Sequence, residues 1–311
     1  MGLVRGWQKV PPTTGYFFFS LDKCRGRCVF CPQSGGKSEN VSRVNWPEFA
    51  LEEVLEVLRG TLRIRRVCIQ CSDEEGVIET LPVLVDRVRG CTRVPISVSM
   101  PPVSRQYMEV LRETGVDVLT IPLDCASQRL FREVKGRSWA KHWEGLRGAL
   151  DVFGPGRVGT HIIVGLGEEE RDVVRMLSRC KKEGIIPSLF AFTPVPGTPL
   201  WGKPQPNITS YRRLQLAREL IMSGRASERD FDFDDLGRVR EILICREVIE
   251  DLIEAGDAFM TRGCPSCNRP YFNEKVSGPI YNYPRRLERE EIEEIRRAVL
   301  ESPEGIKVRG A

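Results

Sequence analysis

Three cysteines near the start of the chain have the spacing that an iron–sulfur site requires. They stand in the sequence Cys24-Arg-Gly-Arg-Cys28-Val-Phe-Cys31-Pro. Cysteine thiolates are the usual protein ligands of iron–sulfur clusters. A loop with three thiolates can hold a cubane of four irons and leave one iron open for a substrate. The same logic applies to zinc, where catalytic sites keep one open position and structural sites do not. A zinc site and three buried free cysteines are the alternatives.

A second cysteine pair, Cys264-Pro-Ser-Cys267, lies in a Gly/Pro-rich segment near the carboxyl terminus. Two thiolates cannot hold a cubane alone, so further ligands must come from other cysteines: Cys68, Cys71 and, as a substitute, Cys125. Cys68 and Cys71 are three residues apart and would face opposite sides of a regular strand. They can converge only if that strand ends near Gln70. The alternatives are a small zinc site or redox pair for Cys264 and Cys267, and a packing role for Cys68.

The composition favours metal or catalytic cysteines over disulfides, because eleven cysteines is an odd number in a chain without an apparent signal peptide. Hydrophobic residues make up 41% and charged residues 29%, as in soluble globular proteins. No apolar stretch approaches the roughly 20 residues that span a bilayer. We therefore expect a cytoplasmic protein without membrane contact. The net charge of +4, from 47 basic and 43 acidic residues, is too small and scattered to indicate nucleic acid binding.

Six apolar, β-rich runs are the elements that must position these cysteines. They cover residues 15–21, 65–71, 95–100, 116–124, 157–166 and 188–195. Amphipathic helical patterns lie between them at 47–59, 81–89, 103–114 and 168–183, and another follows at 208–223. This alternation is typical of βαβ units and predicts an α/β fold with a parallel sheet.

The pattern changes after about residue 225. The segment from Phe231 could be a strand or an extended turn, and helices are predicted over 240–255 and 287–300. We accordingly divide the chain into a lead-in (1–14), a core (15–225) and a carboxyl-terminal extension that carries the second cysteine pair (226–311).

The first cysteine loop resembles the cluster loop of the radical S-adenosylmethionine (SAM) superfamily, including the aromatic residue, Phe30, just before the third cysteine. The resemblance implies a partial (β/α)6 TIM-like barrel with a carboxyl-terminal extension. It also implies that Cys24, Cys28 and Cys31 hold a [4Fe-4S] cluster whose open iron chelates SAM. Reductive cleavage of SAM would then give a 5′-deoxyadenosyl radical that abstracts hydrogen from an unactivated carbon.

Other segments are similar to the SAM-binding motifs of this superfamily. Asp124, after the fourth predicted strand, resembles the polar residue that contacts the SAM ribose. The run from His161 through Gly165 and Gly167 resembles the glycine motif that packs against adenine. One feature departs from the family: Cys71-Ser72-Asp73-Glu74 occupies the place of Gly-Gly-Glu. A hydroxyl or carboxylate of Ser72, Asp73 or Glu74 could still accept the SAM ammonium.

Residues 15–200 resemble the biotin synthase-like group, and the segment after Cys264, with Tyr271 and Gly-Pro-Ile-Tyr-Asn-Tyr, resembles the two-protein archaeal type of lipoyl synthase. That resemblance implies a second, sacrificial [4Fe-4S] cluster and sulfur insertion into an octanoyl or mercapto-octanoyl chain. The implied partners are an octanoylated lipoyl-carrier domain or H-protein, a second radical SAM lipoyl synthase protein, and an electron donor such as ferredoxin.

Three rival functions stay open at this point. Another biotin synthase-like radical SAM enzyme, a methylase or isomerase, would use the second cluster only structurally or for electron transfer. A transfer-RNA thiolase would need a basic patch, which the sequence lacks. A non-enzymatic iron–sulfur electron carrier would explain the cysteines but would not need Asp124 or the glycine motif.

Overall fold

In the computed structural model, which describes residues 10–34, 36, 40–41, 44–60, 63–270, 272–274 and 278–309, the predicted β-rich runs form one parallel sheet. Its strands are β1 (Thr14–Phe19), β4 (Arg66–Cys71), β5 (Ile96–Ser99), β6 (Val116–Thr120), β7 (Val158–Val164) and β8 (Ile186–Ala191). They lie side by side in chain order and curl into a half-barrel. Asn40–Val41 (β2) and Val44–Asn45 (β3) form a separate two-stranded ribbon. The predicted six-stranded α/β half-barrel is confirmed.

Helices follow the strands of the half-barrel. They are α1 (Leu51–Gly60), α2 (Glu75–Arg89), α3 (Arg105–Glu113), α4 (Gln128–Lys135), α5 (Trp139–Phe153), α6 (Glu170–Glu183) and α7 (Ile208–Ser223). The sequence analysis named no helix at α4 or α5, although a serine caps each amino terminus: Ser127 accepts from the Leu130 N–H, and Ser138 from the Lys141 N–H. Serine at this position is a strong start signal.

The strands expose one face to the helices and the other to the lumen, because successive side chains of a strand alternate between faces. On β4, Val67 and Ile69 are buried in the hydrophobic core, whereas Cys68 and Gln70 line the lumen. None of the helices in the described ranges has the length and apolar composition that a membrane span requires.

The first strands of the carboxyl-terminal extension form a hairpin, which includes residues for which a helix is predicted. Phe231–Phe233 (β9) pairs with Val239–Cys245 (β10), which pairs with Lys307–Arg309 (β11). The prediction of a helix from residue 240 is wrong for its first turns, since α8 spans Arg246–Ala255. The intervening turn explains the error: the Asp234 carboxylate accepts from the Leu236 and Arg238 N–H groups and closes the hairpin. The predicted last helix appears as α9 (Arg289–Arg296), followed by a π-helical turn.

A buried ion pair fastens this extension to the half-barrel. Glu170 of α6 pairs with Arg213 of α7 at 2.5 Å and also accepts from the Val239 N–H at 2.9 Å. Arg213 donates in addition to the Glu304 carbonyl at 2.5 Å. The extension and the half-barrel share one hydrophobic core that runs from Leu55 to Ile306.

Residues 263–268 insert beside the amino-terminal ends of β1, β4 and β5. Arg66, the first residue of β4, donates to the Pro265 carbonyl at 2.8 Å. On the β1 side, Asn268 accepts from the Thr13 N–H at 3.0 Å and donates to the Pro11 carbonyl at 3.0 Å. Tyr271, part of the predicted lipoyl synthase resemblance, lies outside the described residues.

Close approach explains the glycine at the start of this insertion. A Cβ atom at Gly263 would stand 2.6 Å from the Ser188 hydroxyl oxygen of β8. We expect Gly263→Ala to destabilise the protein by about 1 to 3 kcal/mol, as overpacked sites do. Adding Ser188→Ala should restore most of that loss because it removes the clashing oxygen. Denaturant unfolding of the two single variants and the double variant measures the free energy of unfolding of each. If the double variant loses as much stability as the two single variants together, the predicted contact is contradicted.

Candidate metal centre

The loop after β1 gathers the three cysteines of the first site. Backbone hydrogen bonds fold it tightly: the Cys31 N–H donates to the Cys28 carbonyl at 3.1 Å, and the Ser34 N–H to the Cys31 carbonyl at 3.0 Å. Burial, followed by the charges of Cys28 and Cys24, raises the pKa of the Cys31 thiol to about 12 although the Gln33 N–H opposes this. The turn between Cys28 and Cys31 brings these two residues close together in the loop.

A glycine keeps that space open. A Cβ atom at Gly26 would stand 3.2 Å from the Cys24 sulfur and 3.9 Å from the Cys28 sulfur. The Gly26 N–H donates to the Cys24 sulfur at 3.3 Å. Hydrogen bonds to sulfur are one of the protein features that tune iron–sulfur clusters. The sulfurs of Cys24 and Cys28 thus border a space that a side chain would fill, and together with Cys31 they form a donor set that fits a [4Fe-4S] cluster with one open iron.

The residues after β4 fix this loop. Glu74 accepts from the Leu21 N–H at 3.0 Å, the Asp22 N–H at 2.6 Å and two hydroxyls, those of Ser20 and Ser72. Burial raises the pKa of Glu74, but these hydrogen bonds outweigh burial and lower it overall. The Glu74 carboxylate therefore organises the backbone that leads into the cysteine loop.

Asp73 is an ion-pair partner at the same edge. Its carboxylate pairs with Arg137 and, at 3.1 Å, with Arg25. Burial raises the pKa of Asp73, yet the hydrogen bonds and charges of Arg137 and Arg25 bring it below its ordinary value. Asp73 and Glu74, predicted to receive the SAM ammonium, thus already hold loop residues, and the Ser72 hydroxyl lies 2.5 Å from Glu74.

Asp124 and the predicted glycine motif also lie at the carboxyl ends of their strands. Asp124 has a positive φ of 63°, a conformation that non-glycine residues seldom adopt. Its N–H donates to the His161 carbonyl at 2.8 Å, and its side chain accepts from Lys135 at 2.7 Å. The Glu168 carboxylate accepts from the Gly165 and Gly167 N–H groups at 2.5 and 3.0 Å.

The second cysteine group lines a cavity of about 100 Å³ inside the half-barrel. Cys68 projects into it from β4, and the inserted segment supplies Cys264 and Cys267. The Tyr16 hydroxyl lies 3.4 Å from the Cys267 sulfur. Burial raises the pKa of the Cys264 thiol, and the Ser97 hydroxyl acts against this. Burial raises the pKa of Cys68, and the charges of Cys264 and Cys267 raise it further. The structure therefore brings these three predicted ligands together.

An arginine completes the lining of this cavity. Arg269 is 8% exposed, its guanidinium carbon lies 3.5 Å from the Phe190 ring centroid, and one guanidinium nitrogen is buried without a hydrogen-bond partner among the described residues. The backbone N–H of Arg269 donates to the Tyr16 hydroxyl oxygen at 2.7 Å. A buried cation without an anionic partner is costly. Three thiols and an unpaired guanidinium fit a negatively charged iron–sulfur cluster.

Two other predicted ligands of the second cluster do not reach this cavity. Cys71 is the last residue of β4 and packs against the hydrophobic core. Because the strand still includes Cys71, its side chain lies on the face opposite to Cys68, which lines the cavity. Cys125 is fully buried beside Asp124, near the first site. The structure therefore places Cys71 and Cys125 outside the cavity that Cys68, Cys264 and Cys267 line.

Within the described ranges, no three Cys, His, Asp or Glu side chains form a site for a single metal ion. A cluster supplies separate irons to its thiolates, so its ligands need not converge on one point.

Sequence reasoning missed four residues of these two sites: Tyr16, Lys135, Arg137 and Arg269. Nothing in the local pattern marks Tyr16 or Arg269, because their contacts join segments about 250 residues apart. Lys135 ends α4, the helix that follows Asp124, and Arg137 comes two residues later, so a search for cations near the predicted ribose contact would have found them.

His161 connects the two sites. Its carbonyl accepts from the Asp124 N–H, whereas its ring lines the lumen cavity and packs against the Phe190 ring, tilted by 58° at a centroid distance of 4.7 Å. The resemblance to the glycine motif predicts that His161, Gly165 and Gly167 lie beside the cofactor. Phe30 packs against the hydrophobic core beside Cys31.

Comparisons with known proteins agree with this geometry. The family model described as the radical SAM superfamily matches residues 19–180. A biotin synthase of Persephonella marina is 27% identical over 203 residues, which cover 62% of this chain and 57% of that protein. A biotin synthase of Pelotomaculum thermopropionicum is 28% identical over 217 residues, which cover 65% and 64%. The chain thus spans less than two thirds of these relatives.

Among solved structures, methylornithine synthase superposes with a TM-score of 0.55 at 18% identity, covering 68% of this chain and 62% of that one. This likeness concerns the fold. Fold and first site together define a parallel half-barrel enzyme with a three-thiol loop at the carboxyl ends of its strands. The chain belongs to the radical SAM superfamily, and within it the chain is similar to biotin synthases. A [4Fe-4S] cluster and SAM are the cofactors of this family.

We expect the reconstituted enzyme to contain about eight irons per chain, in two oxygen-sensitive four-iron clusters held by thiolates. Changing Cys24, Cys28 and Cys31 together to Ala should remove about half of this iron and abolish SAM cleavage. Cys245→Ala, which alters an exposed cysteine outside both sites, is the matched control. Iron analysis and chromatography of 5′-deoxyadenosine test this, and SAM cleavage by the triple variant would refute the first site.

His161 should make the apoprotein less stable in acid. Burial lowers its pKa to about 4, so the unfolded chain binds more protons than the folded one between about pH 6.5 and pH 4. Stability contributed by neutral His161 is therefore complete at pH 7 and is lost as the pH falls. Because the ring is partly accessible from the cavity, we expect a loss of about 2 kcal/mol. Urea unfolding at pH 7 and pH 4 should show this extra loss in wild type but not in His161→Phe.

Proposed function

We propose that this protein inserts sulfur into an octanoyl or mercapto-octanoyl chain on a lipoyl-carrier protein, as one half of a two-protein lipoyl synthase. The observation that carries the proposal is the convergence of Cys68, Cys264 and Cys267 inside the lumen. The first cysteine group lies at the carboxyl ends of the strands that line the same lumen. Similarity to biotin synthases supports a sulfur-inserting activity.

When bound, SAM and the first cluster supply the radical that activates a carbon–hydrogen bond, and a second cluster supplies sulfide. The chain's own residues do the holding and orienting. Cys24, Cys28 and Cys31 are the proposed ligands of the first cluster, and the three lumen cysteines those of the second. Arg269 offsets the negative charge of the second site, and Tyr16 fixes Cys267 through its hydroxyl.

The lumen wall beside β1 suits an unbranched hydrocarbon chain. Phe18 and Trp46 lie 6.4 Å apart between ring centroids, Trp46 and Phe272 5.7 Å, and Phe272 and Tyr16 5.4 Å. β1 is an edge strand, so the half-barrel is open on this side. Each buried methylene of an acyl chain would contribute about 0.8 kcal/mol. An aliphatic substrate could therefore lie along these rings between the two cysteine groups.

The proposal requires partners. The acyl chain would arrive on the lysine of a lipoyl-carrier domain or H-protein, and a second radical SAM protein would insert the other sulfur. An electron donor such as ferredoxin would reduce the first cluster. We propose that this chemistry takes place in the cytoplasm.

The decisive variant is Cys264→Ala, Cys267→Ala. It should still form 5′-deoxyadenosine from SAM, because the first site is intact, yet transfer no sulfur. Wild type and variant are incubated with SAM, reductant and an octanoylated or mercapto-octanoylated carrier, with and without the partner protein, and the product mass is measured. Cys245→Ala should behave like wild type.

Equal sulfur transfer by wild type and the double variant would rule out the lumen cysteines as holders of the sulfur donor. A metal that only supports the fold gives another result: its loss lowers stability, since structural metal binding contributes folding free energy. Thermal unfolding of the same variant therefore separates sulfur donation from a structural role, as in a methylase or isomerase.

A further inference from the structure

Lys135, the last residue of α4, is a buried cation with two close partners. Its ammonium donates to the Asp124 carboxylate at 2.7 Å and to the Pro122 carbonyl at 2.7 Å. The residue is 6% exposed and Asp124 is 8% exposed. Lysine is almost never fully buried without a partner. A buried ion pair of this kind is weak grounds for stability, because desolvation opposes the attraction between the charges.

The segment that carries Lys135 lies against the first cysteine loop. The Val29 N–H, between Cys28 and Cys31, donates to the Val134 carbonyl at 2.9 Å. On the other side of Lys135, a nitrogen of Arg137 lies 3.3 Å from the point where a Cβ of Gly26 would stand. Residues 134–137 therefore approach the loop at two points, which lie on either side of Lys135 in the sequence.

The ammonium lies at the same end of the half-barrel as the three thiols, because its partner Asp124 follows the carboxyl end of β6 and the cysteine loop follows the carboxyl end of β1.

We propose that Lys135 is a positioning residue for the first iron–sulfur site, where its ammonium holds Asp124 and supplies a buried positive charge that favours reduction of the cluster. Reduction adds one electron from the external donor, so the cluster becomes more negative. A fixed positive charge in a water-poor region stabilises that state strongly. The inference rests on the family assignment and is independent of the proposed lipoyl substrate.

The two partners of the ion pair should act with opposite signs. Lys135→Met removes the positive charge and leaves the Asp124 carboxylate, so the cluster should be harder to reduce. At a fixed potential, the ratio of reduced to oxidised cluster should fall about tenfold, which is 59 mV for a one-electron couple. Asp124→Asn leaves the ammonium unpaired and should raise that ratio several-fold. The combined variant should lie close to wild type.

The experiment is a redox titration of each reconstituted enzyme without SAM, followed by absorbance and electron paramagnetic resonance. Lys182→Met, which alters an exposed lysine at the end of α6, is the matched control and should not change the ratio. Unchanged ratios at full iron content in both Lys135→Met and Asp124→Asn, or shifts of the same sign, would overturn the proposal. If Lys135→Met fails to retain iron, Asp124→Asn decides alone: its ratio must rise, and a fall or no change refutes the charge effect.

Discussion

One buried guanidinium joins the two parts of this molecule. Arg66 donates to the Pro265 carbonyl at 2.8 Å, to the Ser97 hydroxyl at 2.8 Å and to Asp117 at 2.7 Å, and only 3% of it is exposed. It thereby ties β4 to the next two strands and to the inserted segment. An incomplete barrel leaves the polar residues of its lumen without partners, and buried polar groups need partners. The inserted segment provides them, and it also delivers Cys264 and Cys267.

Carboxylates perform the corresponding task at the opposite end of the strands. Glu74 and Glu168 each accept several backbone N–H groups, and Asp73 and Asp124 each hold a basic side chain. Four acidic residues are thus committed to fixing loops around the first cysteine group. Loops fixed in this way are suited to hold a cofactor without rearrangement, which is the advantage of preorganised sites.

The strands and the first site could be predicted from the sequence because their signals are local. The alternation of apolar residues located all six barrel strands, and the cysteine spacing located the loop that follows β1. The apolar residues of β10 also fit a helical spacing, which is why a helix is predicted there. The turn closed by Asp234 instead pairs this segment with β9 as a strand. The partners of Cys264 could not be predicted, since only the folded chain brings Ser97 and Cys68 to it. Cys71 follows the rule of alternating faces: it is the last residue of β4 and lies on the face opposite to Cys68.

The long sequence separations in the lumen have a consequence for biosynthesis. Tyr16 and Cys267 are 251 residues apart, and Thr13 and Asn268 are 255 apart. Contacts of such separation form late, because loop-closure entropy opposes them until the intervening chain has folded. The cysteines of the first loop can fold while most of the chain is still on the ribosome, whereas Cys68 has no neighbouring thiols from the inserted segment until residue 267 has been synthesised. A metallocluster on the lumen cysteines can therefore form only on an almost finished polypeptide, whereas the three thiols of the first loop are available much earlier.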